Sequence, residues 1–199
     1  MLNHIIMSAE IHGTLPFDKH KRTHVAFSEE AAQWVKKIIS NYPPGKEKSA
    51  LIPVLHIAQA EFGGWLSPEV MDYVASVLNI QPVEVFEVAS FYTMFHLKPV
   101  GKCVLEVCQT SSCWLNGAED IISYLEKKLN IKVGETTPDG MFTLKVAECL
   151  GSCGTAPMLQ CGASYHENLT YEKVDQLLEG YQAEGRSRNY TDLDFKNTL

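Results

Sequence analysis

Four of the six cysteines stand in two close pairs, Cys108 with Cys113 and Cys149 with Cys153. Four residues lie inside the first pair, three inside the second, and thirty-five between the pairs. If the pairs serve one site, the chain must leave the first and come back to it. A helix over 117–130 would run back about 21 Å and a strand over 142–148 would return about 23 Å, so both pairs can end at one edge. This is the right-handed crossover between parallel strands, whose following loops lie side by side at the carboxyl ends.

The loops admit three chemistries. Spacings of three and four suit an iron–sulfur centre, but zinc tolerates two to four intervening residues, and a thiol–disulfide enzyme would also need close cysteines. The plant-type ferredoxin spacing is absent, and so is the Cys-x-x-Cys of thioredoxin-like redox enzymes. Neither loop contains Lys, Arg, Asp or Glu. Backbone N–H groups and the hydroxyls of Thr110, Ser111, Ser112 and Ser152 are therefore expected to stabilise thiolate charge, with Gly151 and Gly154 letting the backbone approach. Cys103, inside a strand, and Cys161, at a hairpin edge, read as small packing residues. Ala156-Pro157 precedes the next strand and keeps that backbone from pairing early; its isomer is not legible in sequence.

Upstream the pattern is helical only. Ser28 precedes Glu29 and Glu30, and Trp34, Val35, Ile38, Ile39 and Tyr42 follow at helical spacing until Pro43, Pro44 and Gly45. A second helix runs from about Ser49 to Gly63-Gly64, a third from the Ser67 cap and Pro68 to Asn79, and a fourth from Pro82 past Tyr92. His56, with no second ligand at i+4, reads as a packing residue. After Lys98-Pro99 the pattern becomes mixed: a strand over 104–107, a helix from 116 or 117, a strand at Phe142, Leu144 and Val146, a hairpin about Gly162, and a helix capped by Thr170. The expected fold class is α+β, with residues 1–27 an N-terminal extension, 28–96 a helical bundle, 97–184 a β-α-β-β-β-α domain, and 185–199 a mobile tail.

Net charge is −7, which disfavours nucleic acid, since phosphate binding needs a basic stripe; protein partners are expected instead. The longest apolar stretch, Ala50 to Ala60, is broken by Pro53, His56 and Gln59 and is too short to cross a bilayer. Residues 1–27 show no basic segment followed by an apolar core, so no secretory leader is expected, and a reducing compartment favours metal ligands or free thiols over disulfides.

With these residues set out, the chain resembles the thioredoxin-like 2Fe-2S subunits of respiratory NADH:quinone oxidoreductases, complex I, often called the E subunit. The resemblance covers roughly residues 23–182, through SALIPVLHIAQAEFGGWLSPEVMDYVA, EVASFYTMFHLKPVGK, VCQTSSCW, GETTPDGMFTL and ECLGSCGTAPM. It implies a thioredoxin-like ferredoxin domain after the bundle. It also implies one 2Fe-2S cluster on Cys108, Cys113, Cys149 and Cys153, the family's C-x4-C and C-x3-C positions. It further implies single-electron exchange with the FMN of a flavoprotein partner that also binds NADH, among other peripheral-arm subunits. The position implied is peripheral, on the cytoplasmic side of a bacterial inner membrane or the matrix side of a mitochondrial one. With neither G-x-G-x-x-G nor a Walker loop, this chain is expected to leave hydride chemistry to the partner. Related subunits of soluble NAD-linked hydrogenases and formate dehydrogenases would use the same cluster chemistry. Gly154-Thr155 stands where relatives often carry a bulkier residue and Asn, a departure that bears on local hydrogen bonding and potential.

Overall fold

A computed structural model describes residues 25–187. Four helices come first: α1 (Glu29–Ile39), α2 (Leu51–Glu61), α3 (Pro68–Leu78) and α4 (Pro82–Phe91). Their ends follow local chemistry. The Ser28 hydroxyl accepts the Ala31 N–H, the Ser67 hydroxyl accepts the Val70 N–H, and Gln81 with Glu84 forms a reciprocal capping box. Each cap satisfies backbone donors that a helix start leaves without an intrahelical partner. α1 stops at Ile39, three residues short of the expected Tyr42: the Ser40 hydroxyl donates back to the Lys37 carbonyl and the chain turns. A 3-10 turn at Glu47–Ala50 leads into α2, so Pro53 sits in its first turn, where no N–H is needed.

These helices enclose one apolar cluster that includes Val35, Ile38, Leu51, Val54, Leu55, Leu66, Val74, Leu78 and Val85. Phe27 joins it: its N–H donates to the Tyr73 hydroxyl at 3.2 Å and its ring lies 5.7 Å from Phe62. The helical unit thus begins before residue 28. Gln59, fully buried, accepts the His96 N–H at 2.7 Å and donates to the Met94 carbonyl at 3.0 Å, fastening α2 to the segment after α4. His56 packs against Phe95 with tilted rings whose centroids are 5.0 Å apart, a packing role.

The second half is a four-stranded sheet with helices α5 (Ser111–Leu115), α6 (Ala118–Leu129) and α7 (Tyr171–Glu184). The strands are β1 (Cys103–Cys108), β2 (Phe142–Ala147), β3 (Leu159–Cys161) and β4 (Ser164–His166), in the order β2-β1-β3-β4. β1 and β2 are parallel, with Cys103 beside Phe142 and Cys108 beside Ala147; β3 runs antiparallel to β1, and β4 to β3. Alternation along β1 puts Cys103, Leu105 and Val107 into a core shared with Ile121, Leu125, Leu144, Leu159, Val174 and Leu178. Gly101 lets the chain enter β1, because a Cβ there would lie 2.9 Å from the Phe142 carbonyl carbon.

Two details differ from the sequence reading, and one that it left open is settled. The residues between Cys108 and the expected helix are not all loop: Ser111–Leu115 forms the five-residue α5, and Gly117, at φ +90°, breaks it from α6. A helix this short shows too few turns for periodicity to reveal it. Ala156-Pro157 is cis. The expected tail begins tethered: Lys102 Nζ donates to the Gly185 carbonyl at 2.8 Å, and the Ser187 hydroxyl donates to the Lys102 carbonyl. The rest of that tail, and most of the expected N-terminal extension, lie outside the described residues. Among the described residues no helix is long and apolar enough to cross a membrane.

Candidate metal centre

Because β1 and β2 end level, the chain that follows each is delivered to the same edge of the sheet. Cys108 is the last residue of β1, and Cys113 lies one turn into α5. Cys149 follows β2 by two residues, and Cys153 opens a 3-10 turn, Cys153–Thr155. All four expected ligands therefore come to one end of the parallel pair. Cys103 and Cys161 do not: both point into the core between the sheet and α6–α7, on the face opposite Cys108.

The four sulfurs fall into two pairs of different character. Cys108 and Cys113 are 2% exposed each, packed with Ala118 and Met158 and within hydrogen-bonding contact of one another. Cys149 and Cys153 face solvent, with their Sγ atoms 3.6 Å apart. Among the described residues no group of three or more His, Cys, Asp or Glu side chains closes on a single point. A tetrahedral ion with metal–sulfur bonds of about 2.3 Å sets two of its sulfurs about 3.8 Å apart, so the Cys149–Cys153 separation suits two ligands on one metal.

Electrostatics ties the pairs together. Burial pushes the Cys108 thiol up, but N–H groups of Leu150 and Thr110, with the Cys113 thiol and the Thr110 hydroxyl, outweigh it and leave the pKa below its ordinary value. Cys113 is pushed up to about 11 by burial and by its bond to Cys108, against the N–H of Met158. Cys153 is raised chiefly by its contact with Cys149, and negative charge on Cys108 adds to this. Mutual repulsion of this kind is what a bound cation relieves.

The expected hydroxyl donors are mostly engaged elsewhere. Thr110 Oγ1 lies 3.9 Å from Cys108 Sγ, but the Ser112 hydroxyl donates to the Cys153 carbonyl at 2.9 Å. The Ser152 and Thr155 hydroxyls both donate to Glu167 Oε1, the latter at 2.7 Å, and these bonds hold the Glu167 carboxyl below the usual carboxylate range. Tyr165 donates its hydroxyl to the Leu150 carbonyl at 2.6 Å. Local pattern gave no sign of Tyr165 or Glu167, which lie 12 to 18 residues after the cysteines they flank. Gly151, at φ +85°, supplies a backbone turn that other residues rarely adopt.

Comparison with known proteins identifies the family. The family model for the thioredoxin-like [2Fe-2S] ferredoxin matches residues 35–182. The E subunit of the NADH-quinone oxidoreductase of Rickettsia felis is 45% identical over 159 residues, 80% of this chain and 95% of that protein. The mitochondrial NADH dehydrogenase [ubiquinone] flavoprotein 2 of Dictyostelium discoideum is 43% identical over 162 residues, 81% of this chain and 66% of that protein. Among solved structures, an NAD+-reducing [NiFe]-hydrogenase in its H2-reduced state shares the fold at a TM-score of 0.59 and 21% identity, over 67% of this chain and 22% of that one. On a family match that spans both cysteine pairs and nearly all of the described residues, the chain belongs to the thioredoxin-like [2Fe-2S] ferredoxin family.

Proposed function

We propose that this chain is the electron-carrying subunit of the NADH-oxidising arm of a quinone-linked oxidoreductase, with Cys108, Cys113, Cys149 and Cys153 as ligands of one 2Fe-2S cluster. The observation that carries this reading is the arrival of two thiol pairs at the level ends of β1 and β2, one buried and one at the surface. Two pairs suit two metal ions with two thiolates each, whereas one structural zinc ion would draw all four sulfurs to one point. Identity of 43–45% to E subunits of NADH-quinone oxidoreductases, over nearly their whole length, supports the quinone-linked assignment over a hydrogenase subunit, whose solved relatives share the fold at 21% identity.

When bound, such a cluster takes up and returns one electron at a time. The protein's part is to hold it and tune it. N–H groups of Thr110, Leu150 and Met158 aim at the buried sulfurs, and such bonds favour the added negative charge of the reduced state. The buried pair excludes water on one side, and the exposed pair leaves a route for electrons on the other. Trp114 and Leu115, beside Cys113, are 53% and 75% exposed and offer apolar contact to a partner. That partner is a flavoprotein that binds FMN and NADH, placed with this chain in a peripheral position on the membrane-bound complex. The division near residue 97 into a helical bundle and a ferredoxin domain rests on two apolar clusters that share no residue.

Metal and sulfide analysis tests the assignment. The purified chain should be brown, with about two iron and two acid-labile sulfide per molecule, and should turn over NADH only with its flavoprotein partner. A colourless protein with one zinc ion overturns it.

A further inference from the structure

We infer that Glu167 is a positioning residue for the exposed half of the centre, clamping the Cys149–Cys153 loop and keeping its hydroxyls off the sulfurs; this rests on the ligand assignment above. The exposed loop has little packing to fix it. Cys149 and Cys153 face solvent, and a Cβ added at Gly151 or Gly154 would meet nothing within 4 Å. Its shape is set by hydrogen bonds instead, one from the Ser112 hydroxyl to the Cys153 carbonyl and the rest from the β4–α7 corner. Tyr165 holds the Leu150 carbonyl, Glu167 gathers the Ser152 and Thr155 hydroxyls on one carboxylate oxygen, and the Asn168 N–H donates to the Thr155 carbonyl at 2.7 Å. The corner is itself fastened, since Lys173 Nζ donates to the Asn168 carbonyl at 2.9 Å and the Leu169 N–H to the Pro157 carbonyl at 2.9 Å.

Glu167 stands out among these contacts because it binds side chains on both flanks of Cys153, at 152 and 155. Two consequences follow for a centre on the cysteines. The loop keeps the spacing that suits two thiolates on one iron, so iron is retained. The Ser152 and Thr155 hydroxyls point to a carboxylate rather than to sulfur, and a fixed negative charge stands nearby. Both effects disfavour adding an electron, so Glu167 holds the reduction potential down.

The test uses the full chain as purified, with wild type, Glu167→Ala and Glu167→Gln. Iron and sulfide content of the wild type checks the ligand assignment by itself: without a cluster there, that assignment fails and the clamp with it. Given a wild-type cluster, Glu167→Ala should hold iron about 10–100-fold less tightly against a chelator, the loss typical when an outer support of a metal site is removed. Its midpoint potential, followed by spectroscopic redox titration, should rise. Glu167→Gln keeps an acceptor oxygen and drops the charge, so it should retain iron nearly as wild type does while its potential still rises. A merely structural residue would not move the potential of the Gln variant. A wild-type potential in Glu167→Gln overturns the inference, as does wild-type iron retention in Glu167→Ala. If Glu167→Ala cannot hold a cluster at all, the Gln potential decides alone.

Discussion

The helical unit and the sheet unit of this chain are held together in different ways. The helical unit closes on apolar side chains, with Val54, Leu55, Ala58, Leu66 and Val74 fully buried and its helix starts capped by their own sequence. The sheet unit has a comparable core but leaves four thiols at one end, two of them already in electrostatic conflict. On the proposed assignment the first is complete without a ligand, and the second is finished by one. Removing metal should therefore separate their stabilities.

The largest expected effect comes from Cys113→Ser. It removes one of the two buried cysteines proposed as ligands, so iron content should collapse and the sheet unit should lose more than about 4 kcal/mol, in the range that marks loss of a metal site. Calorimetry should show one transition moving down while the helical one stays. Coincident shifts of both would break the comparison.

Leu55→Ala makes the reciprocal test. Leu55 is fully buried in the helical core, so the cavity should cost about 2–5 kcal/mol there and leave the visible spectrum unchanged. Gln59→Ala is subtler. It strips partners from the Met94 carbonyl and the His96 N–H, and should destabilise the helical unit by about 1–3 kcal/mol, measured by denaturant unfolding.

A further effect, one that appears only in acid and probes the join, concerns His96. Its ring is 3% exposed, its Nδ1 lies 2.8 Å from Lys145 Nζ on β2, and burial with that neighbouring cation lowers its pKa from 6.5 to about 3. The unfolded chain then binds a proton between these values that the folded chain refuses, so this contribution is intact above pH 6.5 and is lost progressively as pH falls toward 3. In that window the wild type should lose more stability than His96→Gln. Parallel pH curves would show that the contact between the units is not formed in solution.

Sequence carried much of this comparison. Ser28, Ser67-Pro68, Pro82 and Thr170 mark helix starts by rules that act within one turn, and the structure places starts at all four. The alternation at Phe142, Leu144 and Val146 and the cysteine spacing pointed to the parallel pair and the edge where the loops meet. What escaped reading depends on distant partners or on very short segments. α5 is too short for a periodic signal. Gln59 reads as an interruption of an apolar run, yet it bridges to residues 35 and 37 positions on. The hydroxyl of Ser152 reads as free for sulfur until the β4–α7 corner brings Glu167 to it.

The most direct measurement is a crystal structure of the protein as isolated, with anomalous scattering recorded at the iron edge. Two iron peaks are expected, one beside Cys108 and Cys113 and the other beside Cys149 and Cys153. A single peak amid all four sulfurs, or none at that edge, would contradict the account.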